Sequence, residues 1–219
     1  MKIPPASERI SVLLVDDHPV VRDGYRRMLE NTSEICVVAE AGDGETACAA
    51  YVKLKPDVVI LDLSMPGIGG LETIRRLKTL DPAARILVFT MHDNETVIRR
   101  TLEAGAVGYL TKASGMGQMV EAVRKVAMGT RFIDSTQIGG LIHNAISGAS
   151  TGPLRTLSAR EFQLFQRFAE GQSVAEIAAA LSISPKTVGV HHANIMKKLD
   201  LQNAAQLVRL AIRCNVATP

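Results

Sequence analysis

The sequence contains no tryptophan, and only 4% of its 219 residues are aromatic. Its three cysteines, Cys36, Cys48 and Cys214, are an odd and scattered set without the spacing of zinc ligands, so we expect reduced thiols of a kind typical of the cytoplasm. Apolar runs are far shorter than the roughly 20 residues that span a bilayer, and no secretion-type segment begins the chain. We therefore expect a cytoplasmic protein with no membrane association.

Charge is distributed unevenly along the chain, although the net charge is only +3. Residues 150–219 carry eight lysines and arginines against four acidic residues, whereas residues 1–149 carry 17 against 18. A small basic segment attached to a larger, nearly neutral one predicts a C-terminal domain that binds a polyanion.

Short apolar runs alternate with amphipathic segments in residues 10–128. The runs are Ser11–Val15, Ile35–Ala41, Val58–Leu61, Arg85–Phe89 and Gly108–Leu110. They are mostly apolar throughout, as in strands covered on both faces of a parallel sheet. The alternation predicts an α/β fold, a doubly wound five-stranded parallel sheet with helices on both faces.

The chain after residue 128 has a different character. Residues 129–151 are rich in Gly, Ser and Thr and are predicted to be a linker, with a short helix around Asp134–Ala145. Residues 152–217 show repeated helix-start patterns, including two capping boxes that begin at Ser158 and Ser173. They predict a small all-α domain of four helices.

Polar side chains follow four of the five predicted strands. Asp16 and Asp17 follow the first, Asp62 the third, Thr90 the fourth, and Lys112 the fifth. Because the carboxyl ends of parallel strands share one edge of the sheet, these side chains are expected to meet. Three neighbouring carboxylates need a cation or shared protons, and oxygen ligands suit Mg²⁺. With a lysine and a hydroxyl nearby, the set predicts transfer of a phosphoryl group to a carboxylate.

Two enzyme classes that handle phosphoryl groups fit less well. A phosphatase of the haloacid dehalogenase type needs a second aspartate two residues after the nucleophile, where this chain has Ser64. A nucleotide-binding protein would have a glycine-rich loop after the first strand, where this chain has Asp16-Asp17-His18-Pro19. We therefore expect a protein that is not an enzyme.

The segments L-L-V-D-D-H-P-V-V-R-D-G, V-V-I-L-D-L-S-M-P-G, V-F-T and G-Y-L-T-K resemble the flavodoxin-like receiver domain of two-component response regulators. The whole chain is similar to the NarL/FixJ family. The resemblance implies that a sensor histidine kinase phosphorylates Asp62. It further implies Mg²⁺ held by Asp16, Asp17, Asp62 and the Ser64 carbonyl, Lys112 as phosphate partner, and Thr90 and Tyr109 as a switch pair.

The run from Ser173 to Leu199 is similar to the LuxR-type helix-turn-helix, with the motif itself at about residues 173–192. On the second helix, Val188, His191, Ile195 and Leu199 share one face, which we expect to pack in the bundle. The opposite face and the helix ends are predicted to contact promoter DNA. These residues are Lys186, Thr187, Gly189, Val190, Ala193, Asn194, Lys197 and Lys198.

Lys186, Thr187, Lys197 and Lys198 are predicted to contact phosphates, and Val190 and Asn194 to contact bases. Gly189 and Ala193 depart from the family, in which long polar side chains often occupy these positions. We expect phosphorylation to produce a homodimer that regulates transcription. Two alternatives stay open: a phosphorylation-independent DNA-binding regulator whose receiver serves dimerisation, and a receiver adaptor whose C-terminal bundle binds protein.

Overall fold

The computed structural model describes residues 9–93, 95–134, 152–214 and 216–217. The chain divides into two compact units, one of Met1–Asp93 with Arg100–Thr136 and one of Asn94–Arg99 with Gln137–Pro219. Among the described residues, no helix is long and apolar enough to cross a membrane.

A parallel sheet in the order β2-β1-β3-β4-β5-β6 forms the centre of the first unit. Its strands are β1 (Ile10–Val15), β2 (Ile35–Ala41), β3 (Val58–Leu61), β4 (Ile86–Thr90), β5 (Gly108–Thr111) and β6 (Phe132–Ile133). The helices between them are α1 (Pro19–Glu30), α2 (Gly44–Leu54), α3 (Gly69–Leu80), α4 (Glu95–Glu103) and α5 (Met116–Ala127). The doubly wound, flavodoxin-like α/β prediction is therefore confirmed.

The predicted number of five strands was wrong, because the described residues include a sixth. β6 has only two residues and pairs in parallel with β5, Phe132 with Gly108 and Ile133 with Tyr109. Two half-buried residues show no strand periodicity, so a pattern of this length cannot be recognised in the sequence.

The central strands are buried because helices cover both sides of the sheet. All four residues of β3 and all five of β4 are buried. Tyr25 and Met28 of α1 pack against a buried core that includes residues of β1 and β3. Because these strands are packed on both faces, the residues that directly follow them are held in fixed positions.

The described part of the second unit that follows residue 151 is helical. It contains a 3₁₀ turn (Pro153–Thr156), α6 (Ala159–Ala169), α7 (Val174–Ala180), α8 (Pro185–Lys198) and α9 (Ala204–Arg213). Both predicted capping boxes are present, Ser158 with Glu161 and Ser173 with Glu176. The helix predicted at Asp134–Ala145 lies, beyond Asp134, outside the described residues.

Candidate phosphorylation pocket and nucleic-acid interface

The polar residues at the strand ends meet at one edge of the sheet. Asp16 follows β1 and is 2% exposed, Asp62 follows β3 and is 4% exposed, and Thr90 ends β4 fully buried. Lys112, directly after β5, reaches both carboxylates: its Nζ lies 2.6 Å from Asp16 Oδ2 and 2.7 Å from Asp62 Oδ2. Residues separated by 46 and 50 positions thus form one charged pocket.

The ammonium of Lys112 balances part of the negative charge in this pocket. Burial lowers the pKa of Lys112, but hydrogen bonds to Asp16 and Asp62 outweigh burial and raise its pKa above the ordinary value. Lys112 is therefore protonated at neutral pH. One ammonium leaves a net negative charge on a group of three carboxylates, which favours binding of a further cation.

Backbone groups fix the carboxylate of Asp62. Oδ1 accepts hydrogen bonds from the amides of Leu63 at 2.6 Å and of Ser64 at 3.3 Å, and the Asp62 amide donates to Val15 O at 2.9 Å. On the far side of this backbone lies Gly70, where an added Cβ would stand 2.7 Å from Asp62 O. The carboxylate is thus held in one orientation at the mouth of the pocket.

Asp16, Asp17 and the histidine after them carry ligand atoms that lie close together. Single ligand atoms of Asp16, Asp17 and His18 lie within 4.8 Å of one another. Asp17 Oδ1 is buried and makes no hydrogen bond; His18 Nδ1 lies 2.8 Å away without hydrogen-bond geometry. A buried acceptor without a donor is costly, and a cation would satisfy it, so the residues fit a metal site.

The predicted switch residues lie close to the pocket, with Tyr109 turned inward. Tyr109 is fully buried, and its hydroxyl donates to His92 O at 2.8 Å. Burial, followed by the charges of Asp93 and Asp62, raises the pKa of Tyr109 above its ordinary value. The ring of Tyr109 is therefore in an inward position, held by the hydrogen bond to His92 O.

His92 is a pocket residue that sequence reasoning missed. Its Nε2 lies 3.0 Å from Ser64 Oγ, and its amide lies 3.5 Å from Thr90 Oγ1. It joins the loop after β3 to the loop after β4. Its position two residues after Thr90 was the only available sequence signal.

In the second unit, α8 has a buried and an exposed face. Val188 and Ile195 are fully buried, and His191 and Leu199 are partly buried, so the predicted stripe faces the bundle. The opposite side is exposed and carries Lys186, Gly189, Val190, Ala193, Asn194 and Lys197. A Cβ at Gly189 would meet no atom within 4 Å, so packing within the unit does not require glycine there.

Two predicted DNA-contact residues of α8 also have partners within the unit. Lys198 is exposed, and its Nζ lies 2.7 Å from Glu161 Oε2 of α6, so it takes part in an ion pair. Thr187 is exposed, but its hydroxyl lies 2.8 Å from Ser184 Oγ at the helix start. The ring of His192 packs against that of Phe168 at a tilt of 60°, with ring centroids 4.6 Å apart.

Comparisons with known families agree with this geometry. Residues 12–124 match the response regulator receiver domain, and residues 155–211 match the luxR family of bacterial regulatory proteins. Response regulator UvrY of Escherichia coli K12 is 39% identical over 213 residues, 95% of this chain and 98% of the relative. Response regulator GacA of Pseudomonas protegens is 39% identical over 204 residues, 93% and 96% respectively. The chain belongs to the NarL/FixJ family of response regulators.

A solved structure extends the similarity over both domains of this response regulator. RcsB of Salmonella enterica serovar Typhimurium, bound to promoter P1flhDC in the presence of phosphomimetic BeF₃⁻, is 30% identical with a TM-score of 0.64. The match covers 92% of this chain and 98% of that chain. The response regulator is thus a two-component transcription regulator with a receiver and a LuxR-type DNA-binding domain, and it is not an enzyme.

Proposed function

We propose that Asp62 accepts a phosphoryl group from a partner sensor histidine kinase and that phosphorylation controls DNA binding. The observation that carries this proposal is the bridge of Lys112 between Asp16 and Asp62, because it joins three strand ends in one pocket. A carboxylate oxygen of Asp62 forms a bond to phosphorus, and the bond from phosphorus to the kinase histidine nitrogen breaks with its electron pair on that nitrogen.

Asp16, Asp17, Asp62 and the backbone carbonyl of Ser64 would hold Mg²⁺ in this pocket. Bound Mg²⁺ neutralises charge on the phosphoryl oxygens. The buried, unpartnered Asp17 Oδ1 supports this assignment. Lys112 provides a second positive charge that can move from the carboxylates to a phosphoryl oxygen, and Thr90 provides a hydroxyl donor.

Thr90 and Tyr109 are proposed to transmit phosphorylation of Asp62 to the loop after β4. A phosphoryl group adds charge and acceptor oxygens near Thr90, whose hydroxyl would turn toward it. Tyr109 already donates to His92 O, so the expected change is a stronger preference for this inward position rather than its creation. The loop after β4 is then held in one arrangement.

The output domain is proposed to span residues 152–217, joined to a receiver at 10–128 by the segment 129–151. Exposed residues of α8 would enter the major groove of promoter DNA, with Lys186 and Lys197 at phosphates and Val190, Asn194 and DNA shape giving specificity. Gly189 and Ala193 would allow close approach of the helix backbone. In this role the phosphorylated protein would act as a homodimer in the cytoplasm.

The test is labelling by acetyl phosphate with and without Mg²⁺, followed by sedimentation and DNA binding. We expect Mg²⁺-dependent labelling of the wild type, no labelling of Asp62→Ala, and a dimer with tighter DNA binding only after labelling. DNA binding equally tight before and after labelling would favour the phosphorylation-independent regulator. No DNA binding by either labelled or unlabelled protein would favour the adaptor whose C-terminal bundle binds protein.

A further inference from the structure

A chain of hydrogen bonds connects the sixth strand to the turn that carries Lys112. Asp134, directly after β6, is 6% exposed, and its Oδ2 accepts a hydrogen bond from Ser114 Oγ at 2.7 Å. Ser114 Oγ lies 3.1 Å from the hydroxyl of Thr111, the last residue of β5. An ionised carboxylate only accepts, so the Ser114 proton points to Asp134 and the Thr111 hydroxyl donates to Ser114. The three side chains therefore have one defined order of donors and acceptors.

These bonds close the turn from Thr111 to Ser114, in which Lys112 is the second residue. The Ser114 amide donates to Thr111 O at 3.0 Å, and the Lys112 amide donates to Thr90 O at 2.8 Å. The backbone of Lys112 is thus held by β4 on one side and by Ser114 on the other. Its ammonium reaches two carboxylates, at 2.6 and 2.7 Å, so a small displacement of the turn would change both contacts.

The phosphoryl transfer proposed above assigns no role to Asp134 or Ser114. We propose that both are positioning residues, which hold the Lys112 ammonium beside Asp62 where it can meet an incoming phosphoryl group. In this role each acts on the reaction through the turn. The inference rests on the proposed function for the phosphoryl group, whereas the position of Lys112 can be measured without phosphorylation.

The first unit contains another hydrogen bond of the same kind, which provides a matched control. Tyr51 of α2 donates its hydroxyl to Asp81 Oδ2, also at 2.7 Å. Asp81 follows α3 and precedes β4, so it lies toward the amino ends of the strands, away from the pocket. Tyr51→Phe and Ser114→Ala each remove one hydroxyl that donates to a carboxylate at this distance. Both should lower stability, but only Ser114→Ala should displace Lys112.

NMR of the ¹⁵N-labelled full chain, in buffer without metal or phosphodonor, tests the effect on Lys112. The reporter is the Leu63 amide, because it donates to Asp62 Oδ1 while Lys112 binds Oδ2 of the same carboxylate. Removal of the ammonium in Lys112→Met should shift the Leu63 amide signal. We expect Ser114→Ala to shift it in the same direction and Tyr51→Phe to leave it at the wild-type position.

Labelling by acetyl phosphate at saturating Mg²⁺ measures the consequence for phosphoryl transfer. We expect Ser114→Ala and Asp134→Ala to slow the maximal labelling rate about three- to tenfold, as for the loss of one hydrogen bond. Asp134→Asn keeps a carbonyl oxygen that accepts from Ser114, so it should restore the wild-type rate. Tyr51→Phe should label at the wild-type rate, and urea unfolding of every variant separates lost stability from lost rate.

The outcomes distinguish failure of this inference from failure of the proposed function. A Leu63 signal and a labelling rate that Ser114→Ala changes no more than Tyr51→Phe does would overturn the positioning role. Labelling of Asp134→Asn as slow as that of Asp134→Ala would also overturn it, because the charge and not the hydrogen bond would then matter. A shifted Leu63 signal in Ser114→Ala, with no labelling of the wild type, would support the positioning of Lys112 and overturn the proposed phosphorylation.

Discussion

At the scale of single residues, the pocket depends on a balance between three carboxylates and one ammonium. Lys112 contacts two carboxylates that would otherwise repel each other. Because both carboxylates hold the Lys112 ammonium, it could bind an incoming phosphoryl group only by giving up a contact with Asp16 or Asp62. Under the proposed function, Lys112 would exchange these contacts for a phosphoryl oxygen.

The lack of a side chain at Gly70 leaves room for the backbone of Asp62 and Leu63. A Cβ there would lie 2.6 Å from Leu63 Cα and 2.7 Å from Asp62 O, contacts that force the backbone to move. We expect Gly70→Ala to lower stability by about 1–3 kcal/mol and to slow labelling by acetyl phosphate. Gly24→Ala is the matched control, since a Cβ at this exposed position of α1 meets nothing within 4 Å. Urea unfolding and labelling rates would be measured together; normal labelling of Gly70→Ala would contradict the prediction.

Sequence alone could predict most of the pocket because its residues occupy the ends of recognisable strands. Asp16, Asp62 and Lys112 were placed together by this rule, and the structure brings them within hydrogen-bond distance. Lys198 was predicted to contact phosphates, and its ion pair with Glu161 could not be predicted, because helix periodicity carries no information about a residue 37 positions earlier. Contacts of this kind depend on how helices pack.

At the scale of elements, Glu161 connects two helices of the DNA-binding unit. It is 5% exposed. Its carboxylate accepts a hydrogen bond from the Ser158 amide at 2.7 Å, as part of the capping box of α6, and another from Lys198 Nζ of α8. Burial raises the pKa of Glu161, but the hydrogen bonds from Lys198 and Ser158 outweigh burial and hold its pKa below the ordinary value. The start of α6 is therefore connected to the end of α8.

The depressed pKa of Glu161 predicts a dependence of stability on pH. This stabilisation is present above the unfolded-state pKa, about 4.3, and is lost as pH falls through the lower folded-state pKa. Glu161→Gln keeps the capping acceptor and removes the charge. Because Lys198 is 42% exposed, we expect a loss of about 1 kcal/mol or less at pH 7.

Thermal unfolding followed by circular dichroism at pH 7 and at pH 3 measures this effect. The difference between wild type and Glu161→Gln should shrink as pH falls, while the other carboxylates titrate equally in both proteins. A difference that stays constant would show that the charge of Glu161 contributes nothing. Lys198→Met should reproduce the pH 7 loss.

At the scale of the whole molecule, the chain combines a larger, nearly neutral part, residues 1–149 with net charge −1, and a smaller basic part, residues 150–219 with net charge +4. The charge difference supports DNA as the target of the second unit, and the acidic pocket belongs to the first. Substitutions in the second unit should therefore change contacts with DNA phosphates, and substitutions in the first unit should change phosphorylation, each without the other.

Salt dependence distinguishes a DNA-binding output from a protein-binding one. Each phosphate contact contributes about −0.9 to the slope of log K against log salt concentration. Lys186 and Lys197 are exposed on α8, so Lys186→Ala and Lys197→Ala should each reduce the slope by about one per subunit bound, on any duplex. Fluorescence anisotropy of a labelled duplex over a series of salt concentrations measures the slope.

Lys198→Met supplies the control within the same helix, because Lys198 is engaged by Glu161 and should leave the slope nearly unchanged. The series is repeated after labelling with acetyl phosphate, which should increase the slope if two subunits then bind together. A slope reduced by Lys198→Met but not by Lys186→Ala or Lys197→Ala would mean that the ion pair opens on DNA and that the exposed face of α8 is not the binding face. A slope near zero in all four proteins would identify the second unit as a protein-binding bundle.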